Sequence, residues 1–371
     1  MSFFHKNRSV RMIAPASAFL LAIGLLAQNA PSAPDAALKS ISGGSVLNHI
    51  KKLASDEFEG RAPASKGEEL TVRYLTEQFR TASLAPGNPN GTYVQKVPLV
   101  EITADPAMKL EFSGAAASLA PKYQDDYVAW TKRVTQNASV DAEMIFVGYG
   151  VQAPEFNWDD FKGVDVKGKV IVVLVNDPPI ADPKDAKQLD PKVFGGKAMT
   201  YYGRWTYKYE KAAEKGAAGC FIIHESGPAG YPWDVVRNSW GRGQFDLVTP
   251  DKNMGRVAVE GWLTWDLADK LFKAAGKDLV ALKEAAVTRE FKPVPLGLRA
   301  KLAFKNTLRT VNSQNVIAKL PGSDAKLKNE YVIYCAHWDH FGIGPEMKGD
   351  KIYNGAVDNA SGTATLVEIA K

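Results

Sequence analysis

Cysteine is almost absent from this 371-residue chain: there are two, Cys220 and Cys335. Each sits inside an apolar, strand-like run, which points to small buried hydrophobes rather than a disulfide or a metal ligand. The sequence has no low-complexity tract and no long run of like charges, which argues against a disordered tail or a polyanion-binding arm. A Gly-x-Ser-x-Gly elbow is missing, which disfavours a serine hydrolase. So is a Gly-x4-Gly-Lys-Ser/Thr run, which disfavours the phosphate-loop enzymes. No apolar run reaches the about 20 residues that a membrane span needs.

What is present is a composition suited to folding: 45% apolar and 23% charged residues. At this length two domains are the expected minimum. The first 27 residues read as a secretory signal peptide, with Lys6, Arg8 and Arg11 ahead of an apolar run from Met12 to Ala27 and polar, Pro-rich sequence after it. Cleavage there, with retention as a membrane anchor the alternative, predicts export to a periplasmic or extracellular space without stable membrane insertion afterwards. Loss of those three cations takes the formal charge from +5 to +2, since no acid leaves with them. That balance gives no reason to expect a nucleic-acid partner.

Hydrophobic periodicity divides the rest. Ser45 is placed to cap a helix with Val46, Ile50 and Leu53 on one face, and a second helix runs from about Gly67 through Leu70, Leu75 and Phe79. Between them, Asp56-Glu57-Phe58-Glu59-Gly60-Arg61 reads as a solvated turn. From about residue 106 the pattern turns to strands, at 144–149, 169–175 and 220–223, with helices at 205–215 and after Thr264. Residues 230–244, rich in Gly, Trp and Arg, read as a long surface loop. After Lys292-Pro293-Val294-Pro295 two more strands are expected, at 315–320 and 331–336, and a helix begins at about Ala360.

The strand expected at 331–336 ends in Ala336-His337-Trp338-Asp339-His340. In an extended chain His337 and Asp339 project to one side, a spacing that suits an imidazole bound to a metal and a carboxylate holding its other N–H. By itself the pair reads more readily as a structural hydrogen bond. His340 points elsewhere and reads as pocket-lining or structural. Further on, Asn354-Gly355-Ala356-Val357-Asp358-Asn359-Ala360-Ser361-Gly362 sets one acid among small residues directly before a helix. Small residues let backbone approach a crowded site; a helix cap from Asp358 or Asn359 is the plainer reading.

Together these two motifs resemble the first metal-binding half of the co-catalytic zinc exopeptidases, metallopeptidase family twenty-eight of the aminopeptidase S and aminopeptidase Y type. The resemblance implies that His337 and Asp358 are metal ligands, Asp358 bridging two zincs, and that Asp339 is the catalytic-site acid that orients His337. Asp56 to Arg61 is similar to a segment near the start of such enzymes, and the middle region to their inserted protease-associated domain. His49 and His224 match no family motif.

The implied fold is α/β: a zinc-exopeptidase (phosphorylase/hydrolase-like) mixed-sheet domain, incomplete at the C-terminus, with an inserted β-rich α+β protease-associated domain. Its parts are a signal at 1–27, an N-terminal part of the peptidase domain at 28–105, the insert at 106–295 and the first part of the zinc-binding domain at 296–371. The implied activity is peptide or protein hydrolysis, with two zincs per complete catalytic domain. The general base and later ligands of that family fall after Asp-Asn, so a chain ending at Lys371 is expected to be inactive. A single-zinc, glutaminyl-cyclase-like acyltransferase and a non-catalytic receptor-like relative are the alternatives.

Overall fold

A computed structural model describes residues 35–371 except 115, 116 and 348. The signal expected at 1–27 therefore lies outside the described residues. Among the described residues no helix is long and apolar enough to cross a membrane.

After a helical turn at Asp35–Ser40 come α1 (Gly43–Leu53) and α2 (Lys66–Thr81). The cap of α1 is Ser42, not Ser45: the Ser42 hydroxyl accepts from the Ser45 amide at 3.2 Å, and two glycines form the first helical positions instead of a lead-in. At α2 the Ser65 hydroxyl accepts from the Glu68 amide, and Glu68 reaches back to the Ala64 amide, which satisfies donors that the first turn leaves open.

A ten-stranded mixed sheet follows. It contains β1 (Val94–Ala104), β2 (Lys109–Gly114), β3 (Tyr127–Trp130), β4 (Asn137–Phe146) and β5 (Val170–Leu174). Further along come β6 (Gly219–His224), β7 (Gln244–Leu247), β8 (Val259–Thr264) and the 23-residue β9 (Val294–Val316). The main path is β7-β1-β9-β4-β5-β6-β8-β3, while β2 pairs with β9 and with the short strand Ala117–Leu119. The strands β4, β5, β6 and β8 run parallel; β5 and β6 are buried along their whole length and so read as apolar runs, whereas β4 alternates exposed and buried residues up to Met144. Val170, Val172 and Leu174 join one core with Phe146, Phe221 and Phe272; Ile171 and Val173 join the other with Cys220, Ile222 and Trp262. The helix α3 (Trp205–Glu214) covers the second face through Tyr209 and Ala212, and α5 (Trp265–Ala274), capped by Thr264, covers the first.

Residues 230–244 are not a featureless loop. They contain α4 (Trp233–Trp240), whose Trp233, Val236 and Trp240 recur at helical spacing and face the second core. The Trp240 indole stacks on Trp130, with centroids 4.2 Å apart. The three anchors are surrounded by Gly and Arg, which masks the period in the sequence.

A separate pair of small cores lies outside the sheet. Leu53 and Phe58 meet Ala360, while Leu75 of α2 meets Trp338 and Val367. The elements from the end of the chain are β10 (Gly342–Met347), β11 (Asp350–Tyr353) and α6 (Ser361–Ile369). The helices α1 and α2 thus pack against 338–367, and β9 spans from the first sheet core to Val316 beside the second small core. The strand expected at 331–336 is not formed. Tyr331 to Tyr334 run exposed, Val332 and Ile333 each at 82%, and Cys335 is exposed too, contrary to the burial expected of it. An apolar run states what a segment can form; a strand also needs a neighbour, and among the described residues this one pairs with none.

Glu368 of α6 ties the start of α1 to the end of the chain. The Ser45 hydroxyl, the Lys371 ammonium and the Ser42 amide hold its carboxyl down at about 2. A lowered folded-state pKa stabilises the fold above the ordinary glutamate range, about 4.3, and that contribution fades as pH falls towards 2. Glu368→Gln is expected to melt below the parent chain at neutral pH, with the gap narrowing as the pH drops below about 5. A gap of constant size in pH-resolved melting curves would contradict this account.

Candidate functional site

The site is assembled from two loops joined by the β10–β11 hairpin. In the first loop the alternation of an extended chain persists without a sheet. Trp338 turns inward, 9% exposed, and its Nε1 donates to the Gln314 carbonyl at 3.0 Å. His337 and Asp339 turn outward together, with His337 Nδ1 3.2 Å from Asp339 Oδ1 and 3.1 Å from its backbone carbonyl. The Thr363 hydroxyl of α6 donates to the His337 carbonyl at 3.0 Å, fixing the backbone behind the ring.

In the second loop the two readings of the Asp-Asn pair separate. Asn359 is the cap, its Oδ1 accepting from the Gly362 amide at 3.1 Å. Asp358 instead points at the first loop, where its Oδ1 lies 3.1 Å from His337 Nε2. Its other oxygen is 3.9 Å from His340 Nδ1. Gly355 explains the small residues: it has φ 59°, and a Cβ there would run into the His340 ring. His340 is largely buried, and that burial pulls its imidazole below the usual range while Asp358 pulls it up. His49 bonds to Tyr74 and Lys371, and His224 to the Tyr231 carbonyl, so neither joins the cluster.

The residue that sequence reading undervalued is Arg61. The turn Asp56–Arg61 is a 3-10 element, and Arg61 is wholly buried. Its Nε donates to the Trp338 carbonyl at 2.7 Å, and Nη1 to the carbonyls of Leu53 (2.5 Å) and Asn354 (2.6 Å). Nη2 donates to the Gly355 carbonyl at 2.9 Å. One side chain therefore holds both loops at a fixed separation, and Asn354 adds a bond from Nδ2 to Asp56 at 2.8 Å. Burial draws the guanidinium below its ordinary value, while Asp339 and Asp358 hold it up. The one local signal was Phe58, an apolar residue in a charged turn, which is buried beside it; three of the four acceptors of Arg61 lie far along the chain, where the turn's own sequence cannot show them.

The donor chemistry suits a cation between His337 and Asp358. If Nδ1–H is given to Asp339, Nε2 carries a lone pair aimed at an anionic oxygen, and a proton or a metal must lie between them. Two ligands of a tetrahedral zinc with bonds of about 2.0–2.1 Å stand about 3.3 Å apart, close to the spacing seen. Among the described residues no group of three or more His, Cys, Asp or Glu is placed to hold a metal. Beside His337 opens a cleft of about 410 Å³. One wall is 336–341, the other runs from Ser239 to Phe245, and Val97, Leu99 and Gln314 are among its remaining lining residues.

Residues 315–371, which carry both loops, match the family model described as Peptidase family M28. Among solved structures, an aminopeptidase from Aneurinibacillus sp. strain AM-1 is similar at 20% identity and TM-score 0.41, covering 90% of this chain and 59% of its own. BSAP, a zinc aminopeptidase from Bacillus subtilis, is similar at 16% identity and TM-score 0.34, covering 89% and 57%. A Peptidase M28 precursor from Shewanella amazonensis SB2B is similar at 15% identity and TM-score 0.36, covering 87% and 58%. The chain thus spans less than two thirds of the length of each of these structures. No curated protein matches it.

Removal of Arg61 strands four carbonyls, those of Leu53 and Trp338 buried and those of Asn354 and Gly355 partly so; a buried one costs about 1–3 kcal/mol when unsatisfied. Arg61→Leu is expected to lower the unfolding free energy by about 3–5 kcal/mol in urea titrations. Arg61→Lys should recover only part of it, because one ammonium cannot span the four acceptors. A loss under about 1 kcal/mol for Arg61→Leu would mean that the loops do not depend on it.

Proposed function

We propose that the chain carries the first metal-binding residues of an exported, zinc-dependent exopeptidase, of aminopeptidase type. The observation that carries this reading is the convergence of His337 Nε2 and Asp358 Oδ1 at 3.1 Å, with Asp339 behind the ring. The M28 match over the same residues supports a metallopeptidase chemistry. In this reading residues 1–27 direct export, 106–295 are the protease-associated insert, and the remainder builds the peptidase domain.

His337 and Asp358 would hold the zinc, Asp358 serving two ions as a bridging carboxylate. When bound, zinc supplies Lewis acidity toward a peptide carbonyl and a water of lowered pKa. The protein's own part lies in placement. Asp339 accepts from Nδ1 and so keeps the lone pair on Nε2, Thr363 fixes the His337 backbone, and Arg61 sets the distance between the loops. The cleft beside His337 receives the peptide substrate between 336–341 and 239–245. A catalytic zinc takes about three protein ligands plus water, so the two donors that converge among the described residues are expected to bind zinc weakly by themselves.

Calorimetric titration of this chain with zinc tests the assignment. His337→Ala and Asp358→Ala are expected to abolish binding, and Asp339→Asn to weaken it about 10–100-fold, with circular dichroism showing each variant folded. Asp358→Ala that binds zinc like the parent would refute the ligand assignment. Chelator-sensitive release of nitroaniline from aminoacyl-nitroanilides by the parent chain would instead refute the ligand count.

A further inference from the structure

The β10–β11 hairpin connects the His337 loop to the Asp358 loop, so whatever fixes the hairpin fixes how the loops face each other. Arg61 holds its base. A second arginine reaches it from the sheet side of the molecule: Arg242, in the turn between α4 and β7. Its Nε donates to the Asn238 carbonyl at 2.8 Å and its Nη1 to the Phe341 carbonyl at 3.2 Å. The guanidinium carbon lies 5.1 Å from the Phe341 ring centroid and 5.6 Å from that of Tyr353, and the two rings meet edge to face at 6.1 Å. Nη2 is buried there with no hydrogen-bond partner, so the ring faces are what it gains in place of water.

The contacts continue in both directions. Phe341 lies against the His340 ring at 4.6 Å, and His340 faces Asp358. Behind Arg242, α4 is fastened to the sheet core by Trp240 stacked on Trp130. A continuous run of packed groups therefore leads from the sheet core through Trp240, Arg242 and Phe341 to the candidate site. A guanidinium suits the joint because its planar fork bonds two carbonyls while its face lies on a ring; an ammonium offers a point charge only.

We propose that Arg242 is a positioning residue, through which the 106–295 segment sets the placement of His340 and of the His337 wall of the cleft. The segment is then a working part of the site. This inference rests on the reading of His337 and Asp358 as the site, but its test needs neither metal nor turnover.

The chain has five histidines, few enough for the imidazole signals to be followed by NMR after isotope labelling. In the metal-free chain, Arg242→Ala is expected to shift or broaden the His337 and His340 signals and to raise amide exchange across 341–353 by on the order of tenfold. The His49 signal and exchange in β5 and β6 should stay as in the parent. Arg242→Lys should restore the signals in part. Gly344→Ala should reproduce the change with the charge untouched, since its methyl would lie 2.8 Å from the Tyr353 ring and 3.1 Å from Arg242 Nη2. Unchanged His337 and His340 signals in both Arg242→Ala and Gly344→Ala would overturn the proposal. So would an equal disturbance of His49, which marks general destabilisation. Failure of the parent chain to bind zinc would count against the peptidase reading alone.

Discussion

A guanidinium withdrawn from water needs acceptors for its N–H groups, and Arg61 has four of its five matched by backbone carbonyls from three stretches of chain. The stretches are distant in sequence: the end of α1, the loop at Trp338 and the loop at Asn354 and Gly355. No other single contact described here joins all three. Carbonyl acceptors also differ from a carboxylate partner in what they specify. A carboxylate would fix one side chain, whereas four carbonyls fix backbone, and backbone placement is what brings His337 and Asp358 within 3.1 Å.

Around that joint, side chains of modest chemistry separate roles that a motif alone would merge. Asn359 terminates α6 and frees Asp358 from capping; Trp338 goes inward and frees its neighbours to go outward; Gly355 yields its space to His340. The acid and the imidazole face each other because the residues beside them are committed elsewhere.

Much of this was legible in the sequence, and the failures share a cause. The central buried strands β5 and β6 announced themselves as apolar runs, and Thr264 announced its helix, because both depend on local residue choice; β8, broken by Glu260 and Gly261, did not. The two-residue spacing of His337 and Asp339 placed their side chains together without any sheet around them. Charge in a turn is normally solvated, and the burial of Arg61 depends on three carbonyls 277 to 294 positions away besides that of Leu53. The exposed course of Tyr331 to Tyr334 was equally invisible, since their composition favours a strand and only the absence of a neighbour among the described residues decides otherwise. Trp233, Val236 and Trp240 did keep helical spacing, but the surrounding glycines and arginines masked it.

The long strand β9 has a consequence for how errors would spread. It is paired with β4 near its start and with β1 along its last eleven residues, ending beside the Gln314 carbonyl that receives the Trp338 indole. A register slip of one position in the sheet would carry Gln314 about 3.4 Å along the strand axis and turn its carbonyl to the opposite edge. The indole would lose its acceptor, and Trp338 could no longer hold its neighbours outward. Strand β9 thus serves as a ruler, and the accuracy with which the sheet is threaded is read out at the imidazole of His337.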